Sequence, residues 1–377
     1  MHNRAHLTEV AKLFLKIGII GFGGPAAHIA MMRKEVVARK KWLTEQHFLD
    51  LVGATNLIPG PNSTEMAIHI GYERAGWRGM IAAGLGFILP AVIITGIFAW
   101  LYKFYGQLPQ VQPFLYGIKP AIIAVILSAV FPLAKKSFKS IELVLIGIAV
   151  LILSFFGYNE IFLMFGAGFY ALGRVFLKDK LVNKTISFSP FILLQVATVS
   201  VSTLTNFSLF LIFLKIGAIL YGSGYVLFAF LDAELVATGL LSRQQLIDAI
   251  AVGQFTPGPL FSSVTFIGYQ ISGLKGALVS TIGIFLPSFL FVALLNPLVK
   301  KVRNSKLFSS FLDAVNVASV AIIASICFTM AHDTFSDWRS VLIAVLSVVL
   351  TFGFGNKINS AFIVIGGSLA GYLLLFI

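Results

Sequence analysis

The sequence predicts an all-α polytopic membrane protein of two homologous repeats in inverted topology, with about ten full spans and two broken half-helix (re-entrant) segments. Three observations lead there. Hydrophobic residues make up 58% and charged residues 11% of the 377, whereas soluble domains carry about 25% charged residues; several stretches hold the ~20 apolar residues that cross ~30 Å of hydrocarbon. The two halves of the chain match each other at a nearly constant offset. Each half also places a Pro-Gly-Pro, 59–61 and 257–259, inside an apolar run.

The repeat is read residue by residue. Phe14-Leu15-Lys16-Ile17-Gly18 recurs as Phe213-Leu214-Lys215-Ile216-Gly217, and Glu35-Val36-Val37 recurs as Glu234-Leu235-Val236, both at an offset of 199. The Pro-Gly-Pro triplets follow at 198, and Ile70-Gly71-Tyr72 matches Ile267-Gly268-Tyr269 at 197. Gly76-Trp77-Arg78-Gly79 pairs with Gly273-Leu274-Lys275-Gly276, and Leu89-Pro90 with Leu286-Pro287. The first repeat is assigned to 1–189, a connector rich in Ser and Thr to 190–206, and the second repeat to 207–377. In the first unit a first helix is expected over 10–32, a broken pair over 46–71, and spans over 79–102, 114–134, 140–157 and 160–177. The second unit repeats this over 207–231, 246–269, 274–297, 308–331, 338–354 and 360–377.

With each Pro-Gly-Pro segment entering and leaving on one side, a unit crosses five times, and the odd number inverts the second unit. Basic residues then gather in the expected cytoplasmic loops (33–41, 74–78, 135–139, 174–184, 300–306 and Lys357), leaving Lys103, Arg243, Lys275 and Arg339 in the outer loops, with the amino terminus and its Arg4 and Lys12 also placed outside. That asymmetry is the positive-inside pattern. It accounts for the net charge of +13 without a nucleic-acid partner, since no soluble basic domain is present. The amino-terminal stretch reads as no cleaved signal peptide. Cys327 is the single cysteine, so neither disulfides nor a cysteine metal cluster is expected. His2 and His6 are set aside as a metal site, and the motifs of hydrolases, phosphate loops and zinc proteases are absent. No cofactor is expected, and the chain is not read as an enzyme.

The breaks carry the functional expectation. Proline lacks an N–H and clashes with the preceding turn, and glycine removes side-chain restraint. In a bilayer such a break survives only where its freed groups are buried in protein or line a wet cavity, and paired breaks in two halves point to a transporter's site. Gly21-Phe22-Gly23-Gly24-Pro25 is a further break, with Pro25 opening a new half-helix that carries His28; unit two answers with Gly222-Ser223-Gly224. Half-helix N-termini favour anions, which nominates Gly23, Gly24, Pro25, Pro59, Gly60, Pro61, Asn62, Ser63, Gly222, Ser223, Gly258 and Ser262. Asn56 and Gln254 precede their triplets equally and could donate to an anion. Lys16 and Lys215 are the repeat-related charges that a dianion would use; Lys119, before Pro120, is a third, with Asn316 as its counterpart. Glu65 has two readings: the end of a capping box begun by Asn62 or Ser63, or, with His69 four residues on, a proton carrier. Unit two has Leu260-Phe261-Ser262-Ser263 there, without acid or histidine. Asp50, Asp248 and Asp313 are further carriers to weigh.

Gly23-Gly24-Pro25-x-x-His28-Ile29, the basic loop ending at Trp42, and Ile58-Pro59-Gly60-Pro61-Asn62-Ser63-Thr64-Glu65 resemble the CHR family of chromate transporters, and the second Pro-Gly-Pro resembles its long, two-domain form. The resemblance implies a multi-pass protein of the inner membrane that exports chromate, with sulfate as a related or competing oxyanion. Its partners would be the oxyanion and the lipid bilayer, and the oligomeric state stays open, a homodimer included. A transporter of another small anion or organic acid, a passive anion channel, and an intramembrane enzyme are the alternatives.

Overall fold

A computed structural model describes residues 2–182, 205–221, 224–295, 306–354 and 358–375. These are helical, with no strand among the described residues. The first repeat contains α1 (His2–Ile20), α2 (Gly24–Arg33) continued by a π-helical turn (Lys34–Arg39), α3 (Glu45–Thr55), α4 (Asn62–Tyr105), α5 (Gln112–Ser137), α6 (Ile141–Phe155) and α7 (Glu160–Val182). The second repeats the series: α8 (Asn206–Ile219), α9 (Val226–Leu231) with a π-helical turn (Asp232–Val236), α10 (Arg243–Phe255), a 3-10 turn (Leu260–Ser262), α11 (Ser263–Leu295), α12 (Lys306–Thr334), α13 (Trp338–Gly353) and α14 (Ser360–Leu374). Helix starts are chosen locally: Thr44, Ser140, Thr205, Asp337 and Asn359 accept first-turn amides, and Ser242 with Gln245 forms a capping box, each cap satisfying donors that a helix leaves open.

The stretches expected as first spans, 10–32 and 207–231, are each two helices. In the first, Gly23 (φ 105°) and Gly24 (φ 77°) take left-handed conformations that end α1 and let Pro25 open α2. Gly222, Ser223 and the connector as far as residue 204 lie outside the described residues. α4 would be ~66 Å long if straight, but Ala75 (φ −144°, ψ 23°) and Gly76 (φ 61°, ψ −150°) bend it. The bend is sharp: a Cβ on Gly71 would fall 2.3 Å from the Gly79 carbonyl oxygen. Ser272 (φ −140°, ψ 29°) and Gly273 (φ 58°, ψ −149°) bend α11 in the same way, with Gly268 against Gly276. Each of α4 and α11 is therefore a short first arm following the Pro-Gly-Pro and a long second arm.

Among the described residues, five helices are long and apolar enough to cross a membrane: α4, α5, α7, α11 (with its 3-10 turn) and α12. α6, α8, α13 and α14 are shorter apolar helices of 14 to 16 residues. α1 packs on α4 and α8 on α11, and α4 meets α11 at the junction of the repeats. The outer helices cross over: α5 of the first repeat lies against α13 and α14 of the second, and α12 lies against α6 and α7 of the first. The repeats interlock, and residues of both share the main apolar core.

Candidate functional site

In each Pro-Gly-Pro the glycine supplies the only N–H, because proline has none, and a buried N–H needs an acceptor. Both triplets are buried, and each finds its acceptor in the other repeat. The Gly60 N–H donates to the Leu220 carbonyl, just past the end of α8, at 2.8 Å; the Gly258 N–H donates to the Gly21 carbonyl, just past the end of α1, at 2.8 Å. Gly21 and Leu220 are themselves 199 residues apart, so the two bonds are repeat-related. Gly60 (φ 130°) and Gly258 (φ 90°) hold backbone conformations that favour glycine. Both are also crowded: a Cβ on Gly60 would lie 2.8 Å from Ser288 Oγ, and one on Gly258 would lie 2.8 Å from the Ala91 Cβ.

The Gly21 carbonyl accepts a second bond, from His28 Nε2 at 2.9 Å. A carbonyl only accepts, so Nε2 carries the proton and Nδ1 is the ring's acceptor; Nδ1 is buried without a partner. The ring stands edge-on to Phe87 at 5.2 Å, which ties α2 to the second arm of α4. Gly23 is exposed and Gly24 and Pro25 half-buried at the head of α2.

Glu65 does not close a capping box. α4 starts after Pro61 with no side-chain cap, and the Glu65 carboxyl turns toward the Pro-Gly-Pro, where Oε1 would sit 2.3 Å from a Gly60 Cβ. Ser288 Oγ from α11 donates to Oε1 at 3.4 Å, and Oε2 is buried without a partner. The capping pattern matched, but a tertiary contact captures the side chain. His69, one turn on, is buried with both ring nitrogens unpartnered. Asn62 is half-buried and donates to the exposed Asn56 at 2.7 Å, and Ser63 is buried. In the second repeat Gln254 is buried, hydrogen-bonded to Tyr225, with Nε2 unpartnered. Ser262 accepts from Thr95 at 3.4 Å across the junction.

The repeat-related lysines are each held by a carboxylate. Lys16 Nζ lies 3.1 Å from Glu35, which also binds Arg39 at 2.8 Å; Lys215 Nζ meets both Glu234 oxygens at 2.6 and 2.7 Å. Burial resists ionisation of Glu35, and Lys16 and Arg39 together outweigh it, holding the carboxyl below its usual range. Lys16 is 52% exposed and Lys215 27%. The pairs tie each first helix to the π-helical turn beyond its break. Asp248 is buried and accepts from Tyr102 at 2.7 Å, whereas Asp50 accepts from Gln46 and Asp313 pairs with Lys139.

Sequence reasoning passed over Thr64, Ser263 and Ser288. The first two are buried hydroxyls without partners beside the triplets; Ser288 could have been found as a hydroxyl where its repeat mate, Ala91, has none. Glu35 and Glu234 were visible as a matched pair 19 residues after each lysine. Buried polar atoms are ordinarily satisfied, so the concentration of unpartnered ones on His28, Thr64, Glu65, His69, Gln254 and Ser263 marks the breaks as polar places inside an apolar body. Two open clefts lie elsewhere: one of about 330 Å3 lined by Trp42, Thr44, His47, Glu73 and Arg74, and one of about 190 Å3 beside Glu160, Asp232 and Arg243.

Two stretches, 8–172 and 207–372, each match the family model described as chromate transporter. The chain is 28% identical to a probable chromate transport protein of Synechococcus elongatus over 99% of its own length and 97% of the relative's. It is 31% identical to a chromate transport protein of Cupriavidus metallidurans (97% and 92% covered) and 27% identical to one of Pseudomonas aeruginosa (96% and 90%). No solved structure shows a significant match. One family match in each interlocked half, together with near full-length likeness to chromate transport proteins, places this membrane protein in the chromate transporter family.

Proposed function

We propose that the chain is a secondary transporter that exports chromate, and related tetrahedral oxyanions such as sulfate, across the inner membrane, with the substrate site where the two repeats' broken helices cross. The observation that carries this reading is the reciprocal pair of bonds, Gly60 N–H to Leu220 and Gly258 N–H to Gly21, ringed by unpartnered buried polar atoms. Each half-helix that starts beyond a break presents amides and the positive end of its dipole. Charge-assisted hydrogen bonds to an oxyanion are roughly twice as strong as neutral ones.

In this reading the Pro-Gly-Pro segments are re-entrant, the second repeat is inverted relative to the first, and the moving bodies are α1 with α4 and α8 with α11. Rocking one against the other breaks the crossed bonds, freeing two amides and two carbonyls at mid-depth, and the bonds reform when the site closes. Glu65, with one oxygen unpartnered, takes up and releases a proton during the cycle, and His69 one turn away relays it. Lys16 and Lys215 hold the breaks in place through Glu35 and Glu234, and add positive charge to the site only in a state where those pairs open.

Radiolabelled chromate flux in everted vesicles tests the reading. Chromate should accumulate when a proton gradient is imposed, collapse with the gradient, and exchange in counterflow. Flux no greater than in vesicles lacking the protein overturns it; flux without counterflow makes the protein a passive channel.

A further inference from the structure

An oxyanion crossing apolar protein needs positive charge on its way as well as at its centre, and the two obvious lysines are already engaged. Among lysines whose side chains are described, each is exposed or held by a carboxylate, with one exception. Lys119 is half-buried in the body of α5, directly before Pro120, and forms no ion pair. Its helix packs against α10 of the other repeat, and the charge that acts on it from there is Asp248. Asp248 is buried, and its carboxylate is fastened by Tyr102 Oη of α4 at 2.7 Å and by Gln244 Nε2 at 3.0 and 3.1 Å. The ammonium and the carboxylate interact electrostatically, yet they do not close to an ion pair, so the cation keeps its donors free. Asp248 precedes the second Pro-Gly-Pro by nine residues, about 13 Å along a helix. Only the amide–carboxylate part has a repeat mate, Gln46 with Asp50, which is not buried; the lysine has none, since Asn316 stands for Lys119.

Resting on the oxyanion-transport reading above, we infer that Lys119 is a second oxyanion station, a waiting site between the surface and the broken helices, and that Asp248 limits how tightly it holds. An ammonium alone at this depth would trap a dianion; a fixed carboxylate nearby weakens the hold so that the anion moves on. Passage requires binding strong enough to admit an ion and weak enough to release it. Tyr102 and Gln244 are positioning residues, keeping Asp248 from swinging onto the lysine and closing the station.

The test is concentration-dependent chromate transport by the full chain in proteoliposomes, comparing the unmutated protein with Lys119→Met, Lys119→Arg and Asp248→Asn. Lys119→Met should raise KM at least tenfold, and Lys119→Arg should stay within about threefold. Asp248→Asn should lower both KM and the maximal rate several-fold, the signature of a stickier station. Equal loss in Lys119→Met and Lys119→Arg would assign the lysine a structural role and overturn the inference, as would an unchanged KM in Lys119→Met or a raised KM in Asp248→Asn. Should Lys119→Met fail to reach the membrane, thermal stabilisation by chromate in detergent decides: Asp248→Asn should show a larger shift than the unmutated protein, and a smaller one overturns the station. An unmutated protein that moves no chromate sinks the transport reading itself; an active one with an indifferent Lys119 sinks this inference alone.

Discussion

The two Pro-Gly-Pro breaks share a backbone and differ in chemistry. In both, a buried glycine at positive φ donates to the end of the opposite repeat's first helix at the same 2.8 Å, and both lead into a short arm that ends in the same sharp bend. Beyond that the repeats part. The first carries Glu65 and His69, buried and incompletely bonded; the second carries a 3-10 turn and the hydroxyls of Ser262 and Ser263. Duplication kept what the backbone needs in order to cross and let the side chains diverge. One break can therefore carry titratable chemistry while the other offers neutral hydrogen bonds.

The largest effects test the shared part. Gly60→Ala and Gly258→Ala each force a Cβ into a backbone conformation that costs about 1–3 kcal/mol and into a neighbour under 3 Å away. Both should lose chromate transport and melt earlier in detergent, Gly60→Ala more, because its Cβ would meet the Glu65 carboxyl at 2.3 Å as well as Ser288. If either alanine variant transports normally, the crossed bonds are not the shared element.

The divergent part comes next. Glu65→Gln keeps the shape and removes the ionisable group, and should cut proton-driven chromate flux at least tenfold and flatten its pH profile, with the amount of protein in the membrane unchanged. Ser263→Ala should stay within about twofold. A fall in Glu65→Gln that follows protein abundance, with the pH profile intact, would make the carboxyl a packing group and erase the contrast between the breaks.

A third comparison sets Lys215 beside Lys16. Removing one partner of an ion pair costs about 3–5 kcal/mol when the pair is buried and little, about 0–1 kcal/mol, when it is exposed. Lys215, shorter-bonded and more buried, should fall between those limits on mutation to Ala; Lys16→Ala should fall near the lower one. Lys215→Met with Glu234→Met should recover much of the stability. Recovered stability without recovered chromate resistance would return Lys215 to the transport path.

Much of this architecture was legible from local rules. The offset near 199, the triplets and the Gly-Gly-Pro break are statements about backbone that glycine and proline make wherever they stand. Less legible was anything decided by a distant partner. Gly76 and Gly273 matched as part of the repeat, but nothing local distinguishes a loop from a bend that lays Gly71 on Gly79. Glu65 had the spacing of a capping box, yet Ser288, 223 residues away, takes part of the carboxyl. Lys16 and Lys215 read as charges open to an anion because their carboxylates lie beyond the break, within a π-helical turn that periodicity does not announce. The crossover of α5 and α12 onto the opposite repeat leaves no mark in either helix's own pattern.

The smallest expected effect lies at another matched pair of positions, the N-caps of α6 and α13. Ser140 accepts from Leu143 N–H at 3.3 Å and Asp337 from Ser340 N–H at 2.9 Å; replacing such a cap by alanine costs about 1 kcal/mol. Asp337 is the stronger acceptor because its carboxylate is charged, and the Tyr116 hydroxyl donates to it as well. That bond, the Ser340 amide and nearby Arg339 outweigh what little burial there is and hold its pKa below the usual aspartate range. A depressed folded-state pKa contributes stability that is present above the unfolded value and lost as pH falls through the folded one. Asp337→Ala should therefore lower the melting temperature in detergent by a few degrees at neutral pH, with the difference from the unmutated protein shrinking below about pH 4. Ser140→Ala should show a smaller difference that does not change with pH. A pH-independent Asp337→Ala effect would mean that the serine and aspartate caps are interchangeable, and that divergence between the repeats at this helix start has no electrostatic consequence.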